Sequence, residues 1–247
     1  IGSGTGSLPG QLNRPRDISV APDGSLYVAD TENNRIQHFS PSGELLHSWG
    51  SFGDAVSAAA PGGAFNQPWG IAVAPDGSAV YVADTWNHRI QKFSLDGQFL
   101  TMWGYFGTAE TPDGFWGPRD VAVDRQGRVF VTDTGNKRVA VFDPDGVPIS
   151  EFGEFGLDIG QFDEPVGLAL DANGRLYVAD TWNQRIQVFA ELTPNQFAVV
   201  LNWDISGWYG QSLDNKPFLT AGEDGYLFAA DPEGLRVLQF DLQGNII

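Results

Sequence analysis

No cysteine occurs in the chain, which removes a disulfide framework, a thiolate metal site and a Cys nucleophile together. Positive charge is scarce. Lys and Arg number 14 against 31 Asp and Glu, a formal charge of −17, so a phosphate backbone is repelled in bulk and nucleic acid is not an expected partner. An anionic membrane surface is disfavoured for the same reason. No apolar run approaches the ~18 residues that a spanning helix needs, so no direct membrane insertion is expected. The first ten residues, IGSGTGSLPG, contain neither Met nor a charged-then-apolar leader. The chain therefore reads as a piece of a longer polypeptide, attached to further domains.

Glycine, by contrast, is plentiful: 31 glycines and 15 prolines punctuate 247 residues too evenly for a low-complexity tract. They punctuate a repeat. VADTENNRIQHF from Val28 returns as VADTWNHRIQKF from Val82, VTDTGNKRVAVF from Val131, VADTWNQRIQVF from Val178 and a decayed AADPEGLRVLQF from Ala229. A period of roughly 50 residues is that of a propeller blade. Each unit opens with an apolar segment near a proline, at about 15, 68, 118, 165 and 217. An Asp-Gly or Asn-Gly hairpin follows at Asp23-Gly24, Asp76-Gly77, Asn173-Gly174 and Asp224-Gly225, with Gln126-Gly127 in the third unit. Two further strands close each unit, around a second Gly turn at Ser42-Gly43, Asp96-Gly97, Asp145-Gly146 and Gln243-Gly244 in four of the five, and no segment keeps a helical period. Four antiparallel strands per unit predict an all-β propeller, one domain over 1–247 with five blade repeats.

The pattern Pro-x-x-Ile-Ala-Val-x-x-x-Gly-x-Leu-Tyr-Val-Ala-Asp-Thr-x-Asn-x-Arg-Ile-x-x-Phe resembles the NHL repeat. Four units match closely; the fifth carries Pro232, Gly234 and Leu235 in place of the usual turn residues. The resemblance implies a ring commonly built of six blades, so either five blades close here or a sixth belongs to a longer parent. An open ring would leave unpaired strand edges.

The cluster Asp-Thr-x-Asn-x-Arg recurs with little change, as Asp30, Asn33, Arg35; Asp84, Asn87, Arg89; Asp133, Asn136, Arg138; and Asp180, Asn183, Arg185. Catalysis needs unlike groups converging on one point, whereas these are spread around a ring, so architecture is the expectation. The Asp can accept turn N–H bonds, the Asn can take a left-handed conformation, and the Arg fork can hold a carboxylate or carbonyls. The position between Thr and Asn is free to vary. It holds Trp86 and Trp182 in two blades, and large aromatics there are candidates for a binding surface.

Propellers of this kind include zinc lyases and calcium-dependent lactonases. Only His38, His47 and His88 are present, none in an inner strand, so no metal site is expected from histidine. Asp17 and Asp120, each after an Arg in PRD, could contribute to a calcium site, but calcium wants six to eight oxygens and Gly70 and Gly167 stand at the matching positions. No cofactor is expected, with calcium kept as the alternative. Animal NHL proteins that bind RNA need a basic face, and Arg14, Arg16 and Arg119 offer only a small spot.

The connections between blades are long and aromatic, including Trp49, Phe65, Trp69, Trp103, Phe106, Trp116, Phe155, Trp203 and Tyr209. The irregular stretches DAVSAAAPGGAFNQ from Asp54 and TAETPDGFWG from Thr108 are candidates for recognition loops. The expected function is a non-catalytic binding or scaffold module for a protein, peptide or glycan, extracytoplasmic or secreted, engaging its partner through Arg16, Asp17, Trp69, Trp86, Trp116, Arg119, Asp120 and Trp182. The alternative is a metal-assisted lyase or lactonase at Asp17 and Asp120.

Overall fold

The computed structural model describes residues 1–55, 60–206, 208, 216–222 and 224–247. Parts of the Asp54 stretch and Tyr209 lie outside them. Five antiparallel sheets follow one another along the chain, each with strands in sequence order. Blade 1 is built from Asp17–Val20, Leu26–Asp30, Arg35–Phe39 and Leu45–Trp49; blade 2 from Pro68–Val73, Val80–Asp84, Arg89–Phe93 and Phe99–Trp103. Blade 3 runs Pro118–Val123, Val129–Asp133, Arg138–Phe142 and Pro148–Phe152, and blade 4 Pro165–Leu170, Leu176–Asp180, Arg185–Thr193 and Gln196–Asp204. Blade 5 has Leu219–Ala221, Tyr226–Asp231 and Arg236–Asp241, with a bridge from Phe240 to Ile246 in place of a full fourth strand. The expected near-absence of helix holds among the described residues, where helix is limited to single 3-10 turns at Thr31–Asn33 and Thr85–Asn87.

The hairpin glycines explain the strand spacing. Gly24, Gly77, Gly127, Gly174 and Gly225 all take φ between 71° and 83°, a region open to glycine without a Cβ penalty. The second set does more than turn. A Cβ on Gly97, Gly146 or Gly244 would stand 2.6, 2.4 and 2.4 Å from the indoles of Trp49, Trp103 and Trp203. These indoles come from the end of the preceding blade and pack on Phe93, Phe142 and Phe240 with ring centres 5.8, 5.7 and 5.8 Å apart.

The core is divided among the spaces between blades, since each sheet is apolar on both faces. Tyr27, Ile36, Phe65, Ile71, Val73 and Phe93 fill the first space, and Tyr81, Ile90, Phe115, Val121, Val123 and Phe142 the second. Phe130, Val139, Phe162, Leu168 and Phe189 fill the third, and Tyr177, Ile186, Trp208, Leu219, Leu227 and Phe240 the fourth. Each fully buried aromatic or aliphatic side chain contributes about 1.5–3 kcal/mol. Among the described residues no apolar cluster joins blade 5 to blade 1. Val20 is 64% exposed where its counterpart Val73 is 9% exposed, and Val237 is exposed where Ile36, Ile90 and Ile186 are buried.

Candidate functional site

The Asp-Asn-Arg cluster proves to be a clamp on the connection that arrives from the preceding blade. In blade 2, Asp84 Oδ1 accepts the N–H of Asn66 at 2.7 Å, while Oδ2 takes Asn87 Nδ2, Arg89 Nε and Gln91 Nε2 at 2.8–2.9 Å. The two outer nitrogens of Arg89 then donate to the carbonyls of Ala60, Pro61 and Ala64. Asp30, Asp133 and Asp180 repeat the arrangement with Arg35, Arg138 and Arg185, whose free nitrogens hold Gln11, Gly114 and Gln161 carbonyls. Among the described residues Asp231 keeps Arg236 and the N–H of Gly234, and the Arg236 side chain is half exposed. Burial pushes Asp84, Asp133 and Asp180 above the ordinary carboxylate range, while their Arg, Asn and N–H partners act in the opposite direction. The buried glutamines Gln37, Gln91 and Gln187 belong to the same clamp. Sequence reasoning missed them, although the recurring Arg-Ile-Gln carried the signal.

One expectation is corrected. The left-handed residue of the turn is the one after the motif Asn: Asn34, His88, Lys137 and Gln184 have φ of 52–58°. The motif asparagines are held out of that role because their side chains bridge the Asp to a connection carbonyl, as Asn33 does to Gly6 and Asn183 to Gly156. The left-handed residues instead reach the next blade. Asn34 accepts from Gln67 N, His88 Nδ1 from Gly117 N, and Lys137 Nζ lies 3.1 Å from Glu164.

The inner strands bring Asp17 and Asp120 to the channel, where the structure gives both a structural duty. Asp17 accepts the N–H groups of Ile18 and, across the blade boundary, Ile71, both at 2.8 Å. Asp120 accepts from Val121 at 2.8 Å and from Leu168 of blade 4 at 2.7 Å. Gly70 and Gly167 are the complement. A Cβ on Gly70 would lie 2.6 Å from Asp120 Cα, and one on Gly167 2.8 Å from Phe218 Cα. Burial pushes Asp17 up to about 7 against the opposing pull of its N–H bonds. Asp120 is raised by burial first and by the charge of Asp17 second.

Beside these carboxylates, Trp69 is buried between two guanidinium groups, Arg16 at 4.3 Å and Arg119 at 4.1 Å from the ring centre. Trp86, Trp116 and Trp182 behave differently and remain 40%, 52% and 52% exposed. They sit at one locus on three consecutive blades, by two routes. Trp86 and Trp182 fill the variable turn position, with Trp86 Nε1 bonded to Gln67 Oε1 at 2.8 Å. In blade 3 that position is Gly135, and Trp116 from the incoming connection stands over it, its Cγ 2.4 Å from where a Cβ would be. Phe106 lies edge-on to Trp116 at 6.2 Å and is itself exposed.

Lys216 was not anticipated from the sequence. Its Nζ is buried, lies 5.3 Å from the Trp182 ring centre and 3.8 Å from Glu164, and burial pushes its pKa down to about 8 against the pull of Glu164. The available signal was positional, because Lys216 precedes Pro217 as Glu164 precedes Pro165.

The donors among the described residues do not fit a metal centre. Among the described residues no three His, Asp or Glu side chains gather at one point. His38 and His47 stack on each other in outer strands at 5.8 Å, and His88 Nδ1 is occupied by Gly117 N–H. The four oxygens of Asp17 and Asp120 already accept backbone N–H groups, which leaves far fewer donors than calcium requires.

The family model described as "SMP-30/Gluconolactonase/LRE-like region" matches residues 7–153, more than half of the chain, and the NHL repeat model matches residues 162–189. Peptidyl-glycine alpha-amidating monooxygenase of Mus musculus is 36% identical over 93 residues, 37% of this chain and 9% of that protein. The chain thus spans under a tenth of that relative's length. A streptogramin B lyase structure superposes with a TM-score of 0.67 at 17% identity, over 98% of this chain and 70% of the lyase. The nidogen/laminin complex superposes with a TM-score of 0.64 at 19% identity, over 92% and 76%. At such identity the two structures bear on the fold alone. The clamp repeated blade by blade and the match over residues 7–153 lead to one assignment: the chain is an NHL-repeat β-propeller and belongs to the SMP-30/gluconolactonase/LRE-like family.

Proposed function

We propose that this propeller is a non-catalytic binding module that engages a protein partner on the face carrying Trp86, Trp116 and Trp182. The observation that carries this reading is the exposure of three indoles at one locus on successive blades, while the motif Asp, Asn and Arg side chains of blades 1 to 4 and the carboxylates of Asp17 and Asp120 are engaged in holding backbone. Exposed aromatics on a rigid scaffold are the usual anchors of recognition. The nidogen/laminin complex supports it as a propeller in a protein assembly. An extracytoplasmic setting within a longer chain accords with this role. Thermal unfolding against peptides and oligosaccharides tests it: a ligand at 100 times its Kd adds about 2.7 kcal/mol of stability. The expected rise is lost in Trp86→Ala, and a response unchanged in Trp86→Ala and Trp182→Ala would sink the proposal.

The second reading is a metal-assisted lyase or lactonase at Asp17 and Asp120. The family match favours it; the engagement of all four carboxylate oxygens opposes it. A calcium-dependent activity abolished by Asp120→Asn in a folded variant would reverse the preference.

A further inference from the structure

The charge of the chain and the geometry of its indoles point further, to the chemistry of the partner. We infer that the aromatic face docks a cationic, Lys- and Arg-rich protein segment whose charged heads seat on Trp86 and Trp116. This rests on the reading of that face as a binding surface and narrows it.

Most cations near this face are already committed, Arg14 in the connection to blade 1 being exposed and outside any ion pair among the described residues. Arg16 and Arg119 lie on Trp69, Lys137 pairs with Asp163 and Glu164, and Lys216 lies between Trp182 and Glu164. The motif arginines are tied to their aspartates. The acids are not matched in the same way. Glu32, Glu110 and Asp113, in the turns and connections of the same side, make no ion pair among the described residues, and the chain as a whole carries −17. An excess of unpaired carboxylates steers a cationic partner and disfavours an anionic one.

The rings are presented ready for such a partner. Trp86 is fixed by the bond from Nε1 to Gln67 Oε1, and Gln67 Nε2 in turn donates to Glu32 at 3.4 Å, so a carboxylate is linked to this indole through Gln67. Trp116 is held against Gly135 and edge-on to Phe106. Among the described residues no cation lies over either ring, whereas the buried Trp69 has two guanidinium groups against it, at 4.3 and 4.1 Å from the ring centre. The same chain thus shows the geometry that the exposed indoles leave open. A cation over an exposed indole is worth about 0.5–1 kcal/mol, and about 2 once desolvated. Neutral oligosaccharides would use the rings and make no use of the charge.

The test uses the 247-residue chain with three probes: a ten-residue Arg-Gly repeat peptide, its Glu-Gly counterpart, and neutral oligosaccharides, by titration calorimetry in low and physiological salt. The Arg-Gly peptide should bind, and weaken with salt. Trp86→Ala and Trp116→Ala, which leave the net charge unchanged, should each weaken it by about two- to fivefold, and Trp86→Phe should lose less. Each variant is checked for an unchanged thermal midpoint, and Trp86→Phe serves if the alanine variant unfolds. Cationic binding that is unaffected in both alanine variants would overturn the inference, since charge alone would then explain it. Binding of neutral oligosaccharide, independent of salt and lost in the same variants, would overturn the cationic partner and leave the binding module standing. Failure of all three probes to bind would count against both.

Discussion

At the scale of single residues, the chemistry that looks catalytic in the sequence is spent on holding backbone. Arg89 shows this, joining a buried carboxylate to three connection carbonyls. Removing one partner of a buried, hydrogen-bonded pair costs about 3–5 kcal/mol, and Arg89→Ala should show that loss in denaturant unfolding. Arg236→Ala should cost clearly less, because the Arg236 side chain is half exposed and solvent screens its pair with Asp231. Asp17 yields a pH prediction. Its pKa is raised by burial to about 7 from a reference of 3.8. Between those values the folded state keeps a proton that the unfolded chain releases, so this group's contribution is full below about pH 4 and is lost as pH rises towards 7. Unfolding free energy measured from pH 4 to 8 should therefore fall less steeply in Asp17→Asn than in the parent. An identical slope would show that Asp17 ionises normally. The residue types of the clamp were legible because they recur; the αL position was not, since Asn is the commoner left-handed residue and only the occupied side chain of Asn33 or Asn183 displaces that role by one position.

At the scale of elements, strands and turns followed directly from the sequence, because period-two apolar segments bounded by Gly turns admit little else. What could not be read was how closely inner strands approach. Asp17 and Asp120 alternate with Gly70 and Gly167, and each aspartate of this set reaches an N–H just past the glycine of the following blade. In sequence these carboxylates are indistinguishable from ligands. Gly70→Ala places a methyl 2.6 Å from the backbone of Asp120, so something must shift. The expected cost is about 1–3 kcal/mol, as for other overpacked sites, and a lowered thermal midpoint without loss of sheet signal in circular dichroism checks it. The variable turn position tells a similar story: Gly135 reads as an absent aromatic, yet Trp116 occupies that place from another element.

At the scale of the whole molecule, four spaces between blades share one packing plan, and the faces of blades 1 and 5 that would make another are left with exposed Val20 and Val237. Apolar sheet faces of this kind promote association. Sedimentation velocity over a concentration series should show self-association that the double variant Val20→Lys, Val237→Lys suppresses; a monomer at every concentration in the parent chain would show those faces to be inert. Local sequence alone determined the blade, its hairpins, the clamp residues and the acidic balance, because each depends on contacts within about 50 residues of chain and was written several times over. Tertiary structure alone decided which tryptophans face water, that Trp69 is enclosed by two arginines, and that the channel carboxylates hold neighbouring strands. Those outcomes depend on which blade lies against which, and burial and hydrogen-bond partners are set across that boundary by residues far apart in the chain.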